Sequence, residues 1–134
     1  MTILLEDVLI GARTIYGEAR GEPYEGMKAV AHVLINRWRF KQGDRDHSIA
    51  AAALRWLQFS AWNENDPNRE RLQAANLGDP KFRLALRAML EAVDEKDLTL
   101  GARHYHATTI SPKWSAGHIP CVVIGNHAFF NTVD

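Results

Sequence analysis

The sequence predicts an α+β protein, mainly α-helical, with a small antiparallel β-sheet near its C-terminus. Three observations carry that prediction. Met27, Val30, Ala31, Leu34, Ile35 and Trp38 recur at i, i+3, i+4, i+7, i+8 and i+11, the apolar stripe of one amphipathic helix. "LGDPKFRLALRAMLEAVDEK" opens on Asp79 and Pro80, a cap followed by a residue suited to the first helical position. Past residue 100 the character changes. "ARHYHATTI" and "CVVI-GN-HAFF" are rich in β-formers, and Gly125-Asn126 fits a two-residue hairpin turn.

In order along the chain, a first helix is expected from near Ile3, with Leu5, Val8, Leu9, Ala12, Tyr16 and Ala19 as its apolar stripe. Gly17 weakens it and Gly21 is expected to stop it. Pro23 suits the first turn of the second helix. "KQGDRDHS" reads as a loop, with Ser48 capping a short helix through Leu57. "QFSAWNENDPN" is a second loop, and a short helix follows Pro67. Phe82, Leu86, Met89 and Val93 then give the next helix its core face. No repeat or linker divides the chain, so residues 1–134 are expected to form a single domain.

The totals narrow the function. Hydrophobic residues make up 46%, enough for one core, and 16 basic residues balance 16 acidic ones. That balance does not favour nucleic acid or an anionic membrane surface. No apolar run approaches the roughly 20 residues that a membrane helix needs. "MTILLEDVLIGAR" places Glu6 and Asp7 where a signal peptide would need an uninterrupted apolar stretch, so none is expected. The one cysteine, Cys121, reads as a small buried hydrophobe.

The chemistry-bearing stretch is "TIYGEARGEPYEG", with Glu18, Glu22 and Glu25. On a continuous helix Glu18 and Glu22 would stand about 6 Å apart at Cβ, suggesting a two-carboxylate glycosidase. Gly21 and Pro23 argue that the helix ends between them. Glu22 and Glu25 then fall in the first turn of the second helix, where acidic groups suit the helix dipole. Glu18 lies at the margin of the first apolar stripe, where partial desolvation would let a carboxyl hold a proton near neutral pH. Pattern alone leaves it open between that role and a solvated surface glutamate.

Other constellations are weaker. His104 and His106 share a strand face and, with His127, make a three-histidine zinc site conceivable, but no metal-binding spacing accompanies them. Histidines that hydrogen-bond or line a groove are the alternative, and no metal or cofactor is expected. No G-x-S-x-G and no phosphate-cradling loop is present. Tyr16, Phe59, Trp62, Tyr105, Trp114, Phe129 and Phe130 gather around the loops and the hairpin. With Gln58, Asn63 and Asn126 they could pack on sugar faces and bind their polar edges. "QFSAWN" is the best groove candidate among them.

"ARTIYGEARGEPYEGMKAVAHVLINR", then "QFSAW", "HYHA", Trp114 and "IGNHAFF", resemble in order the landmarks of the SleB/CwlJ-type cell-wall hydrolase family, the catalytic domain of spore-cortex-lytic enzymes. The resemblance runs from about Leu9 to Phe130. It implies a fold similar to lysozyme and resuscitation-promoting factors, and an enzyme that cleaves the glycan strands of peptidoglycan, its expected partner. It implies one essential glutamate, Glu18, acting as a lytic transglycosylase acid between N-acetylmuramic acid and N-acetylglucosamine. From the same resemblance, Tyr105, Gln58, Ser60, Trp62, Phe59, His106 and Trp114 are expected to bind substrate. Asn36 and Arg37 would brace the active-site wall, and His127 and Phe129 would pack behind the cleft.

The family often carries an export signal or an added peptidoglycan-binding domain, and neither is recognised in this sequence. A monomer is expected, synthesised in the cytoplasm and acting on the cell wall. It would reach the wall by phage-type release as an endolysin, as part of a particle, or by another export route. The rival readings are a hydrolytic muramidase, a non-catalytic peptidoglycan-binding module, and a metal-dependent amidase using His104, His106 and His127.

Overall fold

The computed structural model describes residues 3–40, 48–54 and 60–133. Helices α1 (Leu5–Ala19), α2 (Tyr24–Phe40), α3 (Ile49–Leu54), α4 (Asn68–Ala74) and α5 (Pro80–Asp94) precede strands β1 (His104–Ala107), β2 (Val122–Ile124) and β3 (His127–Phe130). Short 3-10 turns cover Ser60–Trp62 and Lys113–Ser115. The sheet is antiparallel in the order β1-β3-β2. The mainly helical body with its C-terminal sheet is therefore as the sequence predicts.

Helix α1 is the hub, packing against α2, α3, α4 and α5. Its buried face differs from the predicted stripe. Leu5 and Leu9 are exposed, while Asp7, Gly11, Ala12, Thr14, Ile15, Tyr16 and Ala19 are buried. The reason is steric: small residues let neighbours come close. A Cβ on Gly11 would lie 2.7 Å from Met89 Sδ, and one on Gly17 would lie 2.6 Å from Leu72 Cδ2 and 2.8 Å from the Ala61 Cβ. Gly17 thus gives up helix propensity for close packing. Gly21 does not take the left-handed conformation of a glycine cap; the helix ends at Ala19 with Arg20 still right-handed.

Asp7 does more than interrupt an apolar run. It is buried, and its carboxylate accepts hydrogen bonds from Leu4 N (2.9 Å) and Ala50 N (3.0 Å). It thereby joins the starts of α1 and α3. Ser48 caps α3 through Ala51 N (3.0 Å), and Asp79 caps α5 through Lys81 N (2.8 Å), both as predicted; each such cap contributes about 1 kcal/mol. The predicted extension of α3 to Leu57 lies outside the described residues. The stripe of α2 is fully realised: Met27, Val30, Ala31, Leu34, Ile35 and Trp38 are all buried, together with Phe82 and Met89 of α5.

Gly125 and Asn126 make the two-residue turn, with Ile124 paired to His127. Gly125 has φ +58°, whereas Asn126 keeps a negative φ, the pattern of a type II′ turn with glycine first. Alternation along the strands sorts side chains onto two faces. Tyr105, Phe129, Val122 and Ile124 pack against the helical core. His104, His106 and Phe130 face the other way, under Trp114.

The end of α2 holds the sheet in place. Asn36 Nδ2 donates to Asp97 Oδ2 (2.7 Å) and Ala102 O (3.0 Å), and Arg37 Nε donates to Arg103 O (2.6 Å). Asp97 also accepts from Thr99 N (2.7 Å) and Gly101 N (2.9 Å), closing the loop that leads into β1. Asn36 and Arg37 therefore tie α2 to the segment entering β1.

Candidate active site

Glu18 lies in the last turn of α1, one turn beyond Thr14. Its Oε1 accepts a hydrogen bond from Ala61 N (3.1 Å), in the 3-10 turn that Gly17 admits so closely. The Tyr105 hydroxyl reaches toward it from β1, close enough to act on the charge of the carboxyl. Both side chains keep some exposed surface yet are densely surrounded.

Burial raises the pKa of Glu18 above the ordinary glutamate value. The Ala61 N–H and the Tyr105 hydroxyl oppose that shift, as does the nearby Arg37 guanidinium, while Asp66 reinforces it. Burial and the Glu18 charge push Tyr105 well above the usual phenol range, so its hydroxyl stays protonated. Among the described residues Asp79, Glu91 and Asp97 are shifted the other way, chiefly by hydrogen bonds for the first two and by the sum of four such bonds against burial for Asp97.

Trp62 stands on the same side of α1. Its Nε1 donates to Thr14 Oγ1 (2.8 Å), and the Thr14 hydroxyl donates in turn to Ile10 O (2.8 Å). The indole is thus anchored one turn before Glu18 and remains partly exposed. Gln58 and Phe59 lie outside the described residues, as does the side chain of Ser60.

The second glutamate of the motif has another setting. Glu22 precedes α2 and is buried. Its Oε1 accepts from Asn126 N (2.8 Å) and its Oε2 from Asn126 Nδ2 (3.0 Å). His127 Nδ1 stands 3.3 Å from Oε1 without hydrogen-bond geometry. Sequence reasoning placed Glu22 in the first turn of the second helix, in favourable interaction with its dipole; it stands instead just before that helix and ties its start to the hairpin. Glu25 is exposed in the first turn of α2, as expected.

The sheet separates the remaining candidates. His127 and Phe129 lie on the Tyr105 face, their ring centroids 4.9 Å and 5.6 Å from the tyrosine ring. His106 and Trp114 lie on the opposite face, where Trp114 packs 5.5 Å from both His104 and His106 and 5.2 Å from Phe130. The structure does not bring His106 or Trp114 to Glu18. The same alternation overturns the three-histidine site, because His127 points away from the face that carries His104 and His106.

Tyr16 does not join Glu18 either: it is buried and bonds to Asp79. A cleft of about 480 Å³ opens beside it, lined by Tyr16, Pro67, Glu70, Arg71, Asn76 and Asp79, with none of its wall from Glu18, Tyr105 or Trp62. Cys121 is partly buried, donates to Thr99 O (3.2 Å), and has a thiol that burial pushes up, consistent with a packing role.

Thr14, Ala61 and Asp66 were missed as parts of the site. Thr14 is four residues before Glu18 and could have been found on the helical wheel. A backbone N–H and a loop carboxylate carry no comparable sequence signal.

A helical body that presents one desolvated carboxyl beside a tryptophan and a tyrosine suits cleavage of a glycan. The family model described as Cell Wall Hydrolase matches residues 21–130, beginning three residues after Glu18. The chain belongs to the cell wall hydrolase family. It is 30% identical over 124 residues to the spore cortex-lytic enzyme of Bacillus subtilis (strain 168), an alignment covering 92% of this chain and 37% of that protein. The chain therefore spans just over a third of the length of that relative.

Two catalytic domains of solved structure share the fold. That of the Bacillus cereus SleB protein superposes with a TM-score of 0.76 at 26% identity, covering 96% of this chain and 92% of the other. That of the germination-specific lytic transglycosylase SleB from Bacillus anthracis gives 0.74 at 27% identity, covering 95% of each. Among the described residues no helix is long and apolar enough to cross a membrane.

Proposed function

We propose that this chain is one catalytic domain that cleaves peptidoglycan glycan strands between N-acetylmuramic acid and N-acetylglucosamine as a lytic transglycosylase, with Glu18 as its acid. The observation that carries the reading is the pair of opposed influences on Glu18. Burial favours its protonated form, while the Ala61 N–H and the Tyr105 hydroxyl favour its charged form. A single group that must first give a proton and then take one needs that balance.

Protonated Glu18 donates to the glycosidic oxygen as the bond from muramic C1 breaks, and the proton leaves on the N-acetylglucosamine hydroxyl. The muramic C6 hydroxyl then attacks C1 and gives its proton to the Glu18 carboxylate. A 1,6-anhydro ring forms, no water is consumed and Glu18 returns to its acid form. No second carboxylate is required, which agrees with Glu22 being tied to Asn126. Tyr105 and the Ala61 N–H stabilise the carboxylate between the two steps. Trp62 offers an anchored ring for a sugar face.

The Bacillus anthracis relative, described as a lytic transglycosylase, supports this ending over hydrolysis. The relatives lend no support to the phage-type route. Mass spectrometry of digests of purified peptidoglycan by the wild type and by Glu18→Gln tests the reading. Muramic ends lighter by one water, released by the wild type alone, are expected. Reducing muramic ends would make the protein a muramidase with the same acid. Binding to the wall with no released product would make it a binding module.

A further inference from the structure

Glu22 lies outside the proposed chemistry, yet its surroundings are specific. Its two carboxylate oxygens grip one residue, Asn126, by backbone and by side chain. The turn presses so close that a Cβ on Gly125 would come within 2.9 Å of Glu22 Oε1 and 3.4 Å of Pro23 Cδ. Asn126 is also a joint to β1, because its carbonyl accepts Thr108 N (2.8 Å) directly after that strand ends. The next residue, His127, packs edge-on against the Tyr105 ring.

Strand β1 is thus held at two ends. Arg37 holds the entering segment through Arg103 O, and the Glu22–Asn126 clamp holds the exit through Thr108. Tyr105 sits between them, paired with Phe129. A shift at either end moves the phenol relative to Glu18, which belongs to a different element and does not follow.

We infer that Glu22 is a positioning residue: by clamping the Gly125–Asn126 turn it sets β1 and His127 so that the Tyr105 hydroxyl meets the carboxyl of Glu18. The inference rests on the reading of Glu18 as the acid. Among the described residues, the charged or titratable groups facing Glu18 are Tyr105 from β1, Arg37 from α2 and Asp66 from the loop after the first 3-10 turn; His127 faces Glu22.

The experiment measures kcat and KM on soluble, uncrosslinked glycan oligomers across pH for Glu18→Gln, Tyr105→Phe, Glu22→Ala, Glu22→Gln and the double variant Glu22→Ala/Tyr105→Phe. Each is assayed well below its melting temperature. Glu22→Ala is expected to lower kcat about tenfold, near the lower end of what one hydrogen bond to a charged group is worth, with KM little changed. Its alkaline limb should move upward, as in Tyr105→Phe, because both lose an influence that favours the Glu18 carboxylate. The double variant should be no slower than Tyr105→Phe alone, and Glu22→Gln should recover most of the rate, since the amide oxygen can still accept from Asn126 N and the amide NH2 can donate to Asn126 Oδ1 once that side chain turns over.

A folded Glu22→Ala with wild-type kcat and pH profile, or losses that simply multiply in the double variant, overturns the inference. If Glu18→Gln still cleaves, the reading of the acid falls, and the inference with it. Should Glu22→Ala not fold, Asn126→Ala takes its place, because it removes the side-chain half of the clamp. It should then lower kcat and move the alkaline limb upward in the same way. A wild-type rate and pH profile in that variant would overturn the inference equally.

Discussion

Glu18 and Glu22 are four residues apart, of one chemical type, in one motif, and both are removed from bulk water. Glu22 has its oxygens filled by donors from one turn residue. Glu18 has the Ala61 N–H and the Tyr105 hydroxyl, and burial still outweighs them. A buried carboxylate with its partners supplied is a structural tie; one left short of partners is ready to hold a proton. The difference comes from what each meets. Glu22 meets a hairpin from the far end of the chain, and Glu18 meets one backbone N–H and the Tyr105 side chain.

The sharpest way to break this comparison is to neutralise each in turn. Glu18→Gln should keep its far-ultraviolet circular dichroism and lose cleavage by about 10³-fold, within the range of a removed general acid. Glu22→Gln should stay within a few-fold of wild type. Equal losses in a product-release assay would refute this division of roles, and the reverse ranking would mean that the two have been assigned the wrong way round.

Next in size, Tyr105→Phe should slow cleavage about tenfold, the order of one hydrogen bond to a charged group, and change the pH profile. Glu18 must be protonated to act first, so activity is present below its raised pKa and falls as pH rises through it. Removing the Tyr105 hydroxyl removes an influence that lowers that pKa. The falling limb should therefore move to higher pH; a limb that moves down would refute the arrangement.

Two stability measurements sharpen the contrast further. Gly17→Ala should lower stability in denaturant unfolding by about 2 kcal/mol, despite alanine's better helix propensity, because the new methyl meets Leu72 and Ala61. Smallest of all, Glu18→Gln should raise stability near neutral pH by about 1 kcal/mol, a few degrees in Tm. The sign follows from linkage. A carboxyl whose folded pKa is raised contributes stability below its unfolded pKa and loses it as pH rises through the folded value. The gap between variant and wild type should close as pH falls below the ordinary glutamate range.

The elements whose signals are local were legible in the sequence. The α2 stripe, the Asp79–Pro80 start of α5 and the Gly125–Asn126 turn each follow from residues within one element, and each is found. The buried face of α1 was misread because glycine, alanine and threonine carry little hydrophobic signal, and here their small size makes the contact. For the site, position 18 was singled out by its place beside an apolar stripe and by family resemblance. Its neighbours were not legible in the same way. Ala61 contributes only a backbone N–H, and Tyr105 arrives from the far side of four intervening helices. The split of the sheet into a Tyr105 face and a Trp114 face depends on strand register, which spacing alone could not tie to Glu18.

The Glu22–Asn126 contact spans 104 residues, so it also says when the site can come into being. Helical turns close among near neighbours, but this bond must close a loop of most of the chain, and such closures come late and slowly. A nascent chain can form α1 and expose Glu18 long before residue 126 has been made. The strand that carries Tyr105 to it is held in register only once the last hairpin has closed. Assembly of the fold and completion of the site are, in time, one event.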